Sequence, residues 1–267
     1  MTEPKLYVRD EGTGRPLVLI HGWSCPGQFF QRQIDALKGQ ARCIVPDLPG
    51  HGRTGAALPL DIESAARSVH AYLEEQDLTD AILCGWSMGA LVSYAMIQLH
   101  GVARVSSVVA IDMSPKVLNA VDWANGTLNG LNEALNANVL AGIVPDWSRL
   151  PARIAGRLFA GGQNPDPNLL EYSRVEIAKA DPALLQPMWA SLTAQDFRRF
   201  LREFPLPLHL IAGLKSQLYG PGVHRWHLEN VPRFTLCKFE NSGHAPHLEE
   251  ADRFNQLIAD LLHNEKS

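Results

Sequence analysis

Apolar residues gather in short runs of about three to seven along both ends of this chain, each run closed by turn-forming residues. Such runs span residues 15–20, 43–45, 80–84, 105–111, 206–212 and 233–239. Runs of this length with few charges predict strands buried on both faces, as in a parallel sheet. Residues 1–46 read as mostly strand, with turns over 11–14. Helical spacing appears between the runs. Residues 61–76 place Ile62, Ala65, Ala66, Val69 and Leu73 on one face, 90–99 is apolar all round, and 251–263 is amphipathic. Strands alternating with helices predict an α/β fold. From residue 116 to 204 the strand pattern vanishes. That stretch holds Trp123, Trp147, Trp189, many Leu and Ala and a loop over 161–167, and it predicts several short helices.

Composition narrows the class. A chain of 267 residues is one large domain or a domain with an insert, and its 46% hydrophobic content is ample for a core. A net charge of −4 gives no electrostatic reason to expect nucleic acid or a membrane surface as partner. No run is long enough to span a bilayer, and no basic segment leads into an apolar one at the start, so no secretory signal is expected. Cys25, Cys43, Cys84 and Cys237 lack disulfide or metal spacing. Three of them fall in predicted strands, which suits buried thiols in a reducing cytoplasm. There is no Gly-rich phosphate loop and no His-x-x-x-His metal pair on a helix, so neither a cofactor nor a metal is expected.

The candidate chemistry begins where a predicted strand meets a predicted helix. Gly85, Trp86, Ser87, Met88 and Gly89 put a serine between two glycines at that joint. A turn tight enough to strain the serine holds its hydroxyl out at the sheet edge, and the flanking glycines let neighbouring backbone pass. Serine needs a base. His244 lies on a loop after the predicted strand 233–239 and before the last helix, from which an imidazole can reach across. His247, three residues on, is the nearest rival and is expected to pack at the start of that helix.

The motifs carrying His21, Gly22 and Trp23, then 47–53, then Gly85 to Gly89, then Gly243 and His244 come in an order and spacing that resemble an α/β-hydrolase of the small esterase type. The resemblance implies a mostly parallel eight-stranded sheet with helices on both faces. It implies a core of residues 1–115 and 205–267, with 116–204 inserted after the sixth strand as a helical lid. It also implies an oxyanion hole made by the backbone amides of Trp23 and Met88. The family commonly carries its triad acid after the seventh strand, in a Gly-x-x-Asp pattern. Here that pattern reads Gly213 to Ser216, and a serine cannot hold the charge that stabilises an imidazolium. Asp112, which ends the run 105–111, can reach the same imidazole, and a subset of the family places its acid there. Asp47 reads as the anchor of its own loop, and Asp196 as a helix cap.

These residues predict a serine esterase or thioesterase acting through Ser87, His244 and Asp112. The expected substrate is a small acyl ester or thioester, held in a pocket that includes Trp23, Trp86, Leu118 and Leu135. Arg149, Arg153 and Arg157 repeat every four residues. They read as a solvated face, or as a docking site for an acidic acyl-carrier protein or a carboxylate on the substrate. An acyltransferase with the same triad, a ligand-binding receptor and a cofactor-free oxygenase are the alternatives that the same scaffold allows.

Overall fold

Four of the apolar runs become strands that are buried along almost their whole length, as a sheet covered on both faces requires. The computed structural model describes residues 5–264. Within them one sheet contains β1 (Tyr7–Gly12), β2 (Arg15–Ile20), β3 (Ala41–Asp47), β4 (Ala81–Trp86), β5 (Val105–Ile111), β6 (Leu208–Gly213) and β7 (Phe234–Phe239). Their order is β1-β3-β2-β4-β5-β6-β7. Only β1 runs antiparallel, against β3, and the other pairings are parallel. The sheet has seven strands among the described residues, not eight, so the insert follows the fifth. Residues 5–46 are less strand-rich than expected, and residues 1–4 of that predicted stretch lie outside the described residues. Gly27–Phe30 forms a 3-10 turn and Gln31–Leu37 forms helix α1, which buries only Gln33, Ile34 and Leu37. So short a helix leaves too little periodicity to detect.

Two cores lie on the two faces of the sheet. On one, α2 (Ile62–Glu75) packs against α3 (Met88–His100). The five residues of α2 predicted to share a face are its buried ones. Asp61 caps the helix, its carboxylate accepting from the Ser64 N–H at 2.7 Å. On the other face, α1 packs against α11 (Ala251–Asn264), whose Phe254, Ile258 and Leu262 are buried.

Residues 116–204 carry α4 (Glu133–Ile143), α5 (Leu150–Leu158), α6 (Pro167–Ala178), α7 (Pro182–Thr193) and α8 (Arg198–Leu201). The two ends of this insert meet: the Phe197 N–H donates to Pro115 O at 2.9 Å, and Lys116 pairs with Asp196 at 3.2 Å. Asp196 also accepts from the Arg198 N–H at the start of α8. The insert has no core of its own. Met188, Leu192, Phe197 and Leu201 join the core of α2 and α3, while Ala155, Leu158, Phe159 and Ile177 join the opposite one. It therefore straddles the sheet. The remaining helices are α9 (Pro221–Asn230) and the short α10 (Pro246–Glu249).

The chain leaves β2 for β3 on one side and for β4 on the other, so the strand order switches between β2 and β4. Ligand sites of open α/β sheets form outside the strand ends at such a switch. All four cysteines are free. Cys25, Cys43 and Cys84 are buried, but Cys237 is only half-buried, because β7 is an edge strand. No helix among the described residues is long and apolar enough to cross a membrane.

Candidate active site

Ser87 stands at the switch point, between β4 and α3, with φ 53° and ψ −117°. This conformation is strained for a side-chain-bearing residue, on the order of 1–3 kcal/mol. Its surroundings enforce it. The Ser87 N–H donates to Ile111 O at 3.0 Å, and Ser87 O accepts from the Ala90 N–H at 2.9 Å. A Cβ on Gly85 would collide with the Gly89 carbonyl, and one on Gly89 with the Ile20 carbonyl. Both positions must therefore be glycine for the turn to close. The Ser87 side chain makes no capping bond to α3, so its hydroxyl is uncommitted.

His244 lies on the loop between β7 and α10 and is 3% exposed; Asp112 follows β5 and is 1% exposed. The structure brings them together: His244 Nδ1–H donates to Asp112 Oδ2 at 2.8 Å. Asp112 adopts φ 42°, a left-handed conformation that aspartate tolerates better than most residues. Its own N–H donates to Ile211 O at 2.8 Å.

The histidine loop is fastened from three sides. The Trp86 indole N–H donates to His244 O at 2.8 Å, and the Ala245 N–H donates to Leu158 O at 3.0 Å. Glu249 accepts from the Gly243 N–H at 2.6 Å and from the Ala160 N–H at 2.8 Å. It thereby ties the loop to the end of α5. Burial raises the Glu249 carboxyl above its ordinary value. Sequence reasoning missed this residue. The available signal was Pro246, which opens a single helical turn and sends Glu249 back towards Gly243.

His247 is fully buried, and neither ring nitrogen has a hydrogen-bond partner among the described residues. It packs against Trp86 and Phe30, with ring centroids 4.6 and 4.9 Å away. Burial pushes it down to about 3, so it is a neutral packing group.

The loop after β2 is pinned by two more neutral histidines. His21 Nε2 accepts from the Leu48 N–H at 2.9 Å, and His51 Nε2 accepts from the Ser24 N–H at 3.0 Å. Burial lowers them to about 4 and about 3. Asp47 accepts from the Gly27 and Arg53 N–H groups and so ties down its own loop. Gly22 lies so close to the turn at Ser87 that a Cβ there would sit 3.3 Å from Ser87 Cβ. The Trp23 indole N–H donates to Leu185 O at 2.9 Å, and its ring meets Trp189 edge-on at 4.8 Å.

Ser87, His244 and Trp23 line one cavity of about 400 Å³ beneath the insert. Its apolar wall includes Leu131, Val139, Ile143, Ile154 and Leu218. Three expected pocket residues lie elsewhere. Leu118 packs into the core of α2 and α3, and Leu135 is 47% exposed on the outer side of α4. Trp86 is 1% exposed and lies under the histidine loop, where its indole N–H is consumed. Arg153 and Arg157 do line the cavity, together with Asp146, while Arg149 faces solvent. Neither Arg153 nor Arg157 forms an ion pair among the described residues.

A mostly parallel sheet with a strained serine at its switch point, under a helical insert, defines a protein of the α/β-hydrolase type. The chain belongs to the alpha/beta hydrolase family, whose family model it matches over residues 17–257. It is 29% identical over 261 residues to the pimeloyl-[acyl-carrier protein] methyl ester esterase of Vibrio atlanticus, covering 95% of this chain and 97% of that one. The protein of the same name from Aromatoleum aromaticum is 28% identical over 257 residues, covering 92% of this chain and 97% of that one. Among solved structures, the esterase EaEST from Exiguobacterium antarcticum superposes with a TM-score of 0.85 at 22% identity, over 96% of this chain and 95% of that one. At that identity the likeness shows the fold.

Proposed function

We propose that the chain is a serine hydrolase that cleaves a carboxylic ester or thioester through an acyl-enzyme. Its curated relatives are named as esterases, which makes it an esterase-type enzyme. The finer reading rests above all on one contact, the 2.8 Å hydrogen bond from His244 Nδ1 to Asp112 Oδ2. With Nδ1 protonated and held, Nε2 carries the lone pair a general base needs. His244 Nε2 takes the Ser87 proton as the hydroxyl oxygen attacks the acyl carbon. The imidazolium is stabilised by the Asp112 carboxylate. The Trp23 and Met88 amides hold the oxyanion; Met88 opens α3, where first-turn N–H groups have no intrahelical acceptor. His244 then protonates the leaving alcohol or thiol. Water, deprotonated by His244, releases the acid and restores Ser87.

Residues 116–204 act as a lid that encloses the acyl group, and the apolar wall of the cavity takes the chain. Arg153 and Arg157 recognise an anion at this cavity, on the substrate or on an acidic acyl-carrier protein. The name of the relatives, pimeloyl-[acyl-carrier protein] methyl ester esterase, supports that partner. Turnover of short p-nitrophenyl esters tests the reaction. Sustained multiple turnover is expected, and a single burst without turnover would point instead to acyl transfer or ligand storage. Reversing charge with Arg153→Glu and Arg157→Glu together is expected to raise KM for a carrier-linked ester about tenfold, well beyond its effect on a short neutral ester. Equal shifts on both esters, in steady-state kinetics at low salt, would remove the anion from the reading.

A further inference from the structure

We infer that Ser216 is a positioning residue for Asp112: its hydroxyl orients the carboxylate against which His244 rests. The inference depends on the reading of Asp112 as the triad acid. Ser216 follows β6, on the loop to α9. Its Oγ accepts from the Leu218 N–H and the Tyr219 N–H, each at 3.2 Å. A hydroxyl has two lone pairs and one proton. With both lone pairs engaged by backbone donors, the proton has one direction left, and it is donated to Asp112 Oδ2 at 2.6 Å.

Oδ2 is the same oxygen that accepts from His244 Nδ1. The other carboxylate oxygen, Oδ1, is buried and has no hydrogen-bond partner among the described residues. The orientation of the carboxylate about its Cβ–Cγ bond is therefore set through Oδ2 alone, by Ser216 from one side and His244 from the other. Only His244 moves charge during the reaction. Ser216 is the fixed point: its loop is braced by two backbone N–H groups, and the β6 strand behind it is buried throughout. A buried carboxylate with a single side-chain donor would be poorly solvated and free to turn its unpartnered oxygen towards the imidazole.

The test is a cycle on the full chain with an activated p-nitrophenyl ester: Ser216→Ala, Ser216→Thr, Asp112→Asn, and the double variant Asp112→Asn with Ser216→Ala. One hydrogen bond to a charged group predicts about a tenfold loss of kcat in Ser216→Ala, with KM within about twofold. Ser216→Thr, which keeps the hydroxyl, is expected to retain most of the activity. In the Asp112→Asn background, removing the Ser216 hydroxyl is expected to change kcat less than about twofold, because the carboxylate it orients is already gone. Thermal melting of each variant checks the fold. Full activity in Ser216→Ala overturns the inference. So does a loss of the same size in both backgrounds, which would show that Ser216 merely supports its loop. Near-normal activity in Asp112→Asn alone overturns the assignment of the acid, and is told apart from the other outcomes by that single variant.

Discussion

Replacing Ser87 with Ala is expected to lower kcat by about 10⁴-fold or more while the protein stays folded. The size follows from the chemistry. In the proposed mechanism there is no acyl-enzyme without the hydroxyl, and what remains is the rate that oxyanion donors and binding alone can give to a water attack. The intact fold follows from the geometry. Ser87 makes no capping bond to α3, so removing its oxygen orphans no helix N–H that it had satisfied. Alanine keeps the Cβ and hence the same backbone strain at φ 53°. The melting temperature is therefore expected to be unchanged or slightly raised, as happens when a polar group poised for chemistry is removed. A serine-directed phosphonate should label the wild type and leave the variant unlabelled. Labelling of Ser87→Ala at the wild-type rate would remove Ser87 from the mechanism.

The turn at Ser87 was legible in the sequence because three constraints coincide there: a buried strand, an apolar helix and two glycines where neighbouring backbone crosses within collision distance. Asp112 was legible for a different reason. A serine stood where the family pattern expects the acid, and the neighbouring strand ended in an aspartate. The contact between Asp112 and His244 joins residues far apart in sequence but only two strands apart in the sheet order β4-β5-β6-β7. Periodicity also found α2 with its buried face, since a helix lying on a sheet must show one apolar stripe.

The insert was less legible, and Leu118 and Leu135 show why. In a helix packed on a sheet, an apolar residue has one place to go. In residues 116–204 it has three: either core, or the cavity. Leu118 took a core, Leu131 reaches both the core and the cavity wall, and Leu135 took none of them. Which outcome holds is set by how α4 and α7 settle against each other, as in the bonds of Asn136 to Thr193 and Trp189. A single helix period does not encode that. Trp86 misled for a related reason. It is adjacent to Ser87 in sequence, but at a strand end successive side chains point to opposite faces, so the residue beside Ser87 turns away from the cavity.

Asp112→Asn is expected to lose about 10⁴-fold in kcat, the cost seen in the trypsin-type enzyme when the triad acid is made an amide with its geometry kept. The amide carries no charge to stabilise the imidazolium. Its nitrogen can also face His244 Nδ1 and favour the wrong tautomer, which removes the base from Ser87. The loss should be recoverable from the next strand. Ser216 Oγ lies 2.6 Å from Asp112 Oδ2, and that oxygen lies 2.8 Å from His244 Nδ1, so position 216 is linked to the ring nitrogen through one shared oxygen. Its oxygen already accepts from the Leu218 and Tyr219 N–H groups, a turn that an aspartate side chain forms as readily as a serine. Adding Ser216→Asp to Asp112→Asn is therefore expected to restore about 10- to 100-fold of the lost kcat. In the Asp112 wild-type background the same substitution should depress activity, because two buried carboxylates would then face each other. Steady-state kinetics on one short ester read all four combinations. Activity near wild type in Asp112→Asn would place the acid elsewhere. Failure of the double variant to exceed the single one, with both folded, would show that a carboxylate at position 216 does not reach His244.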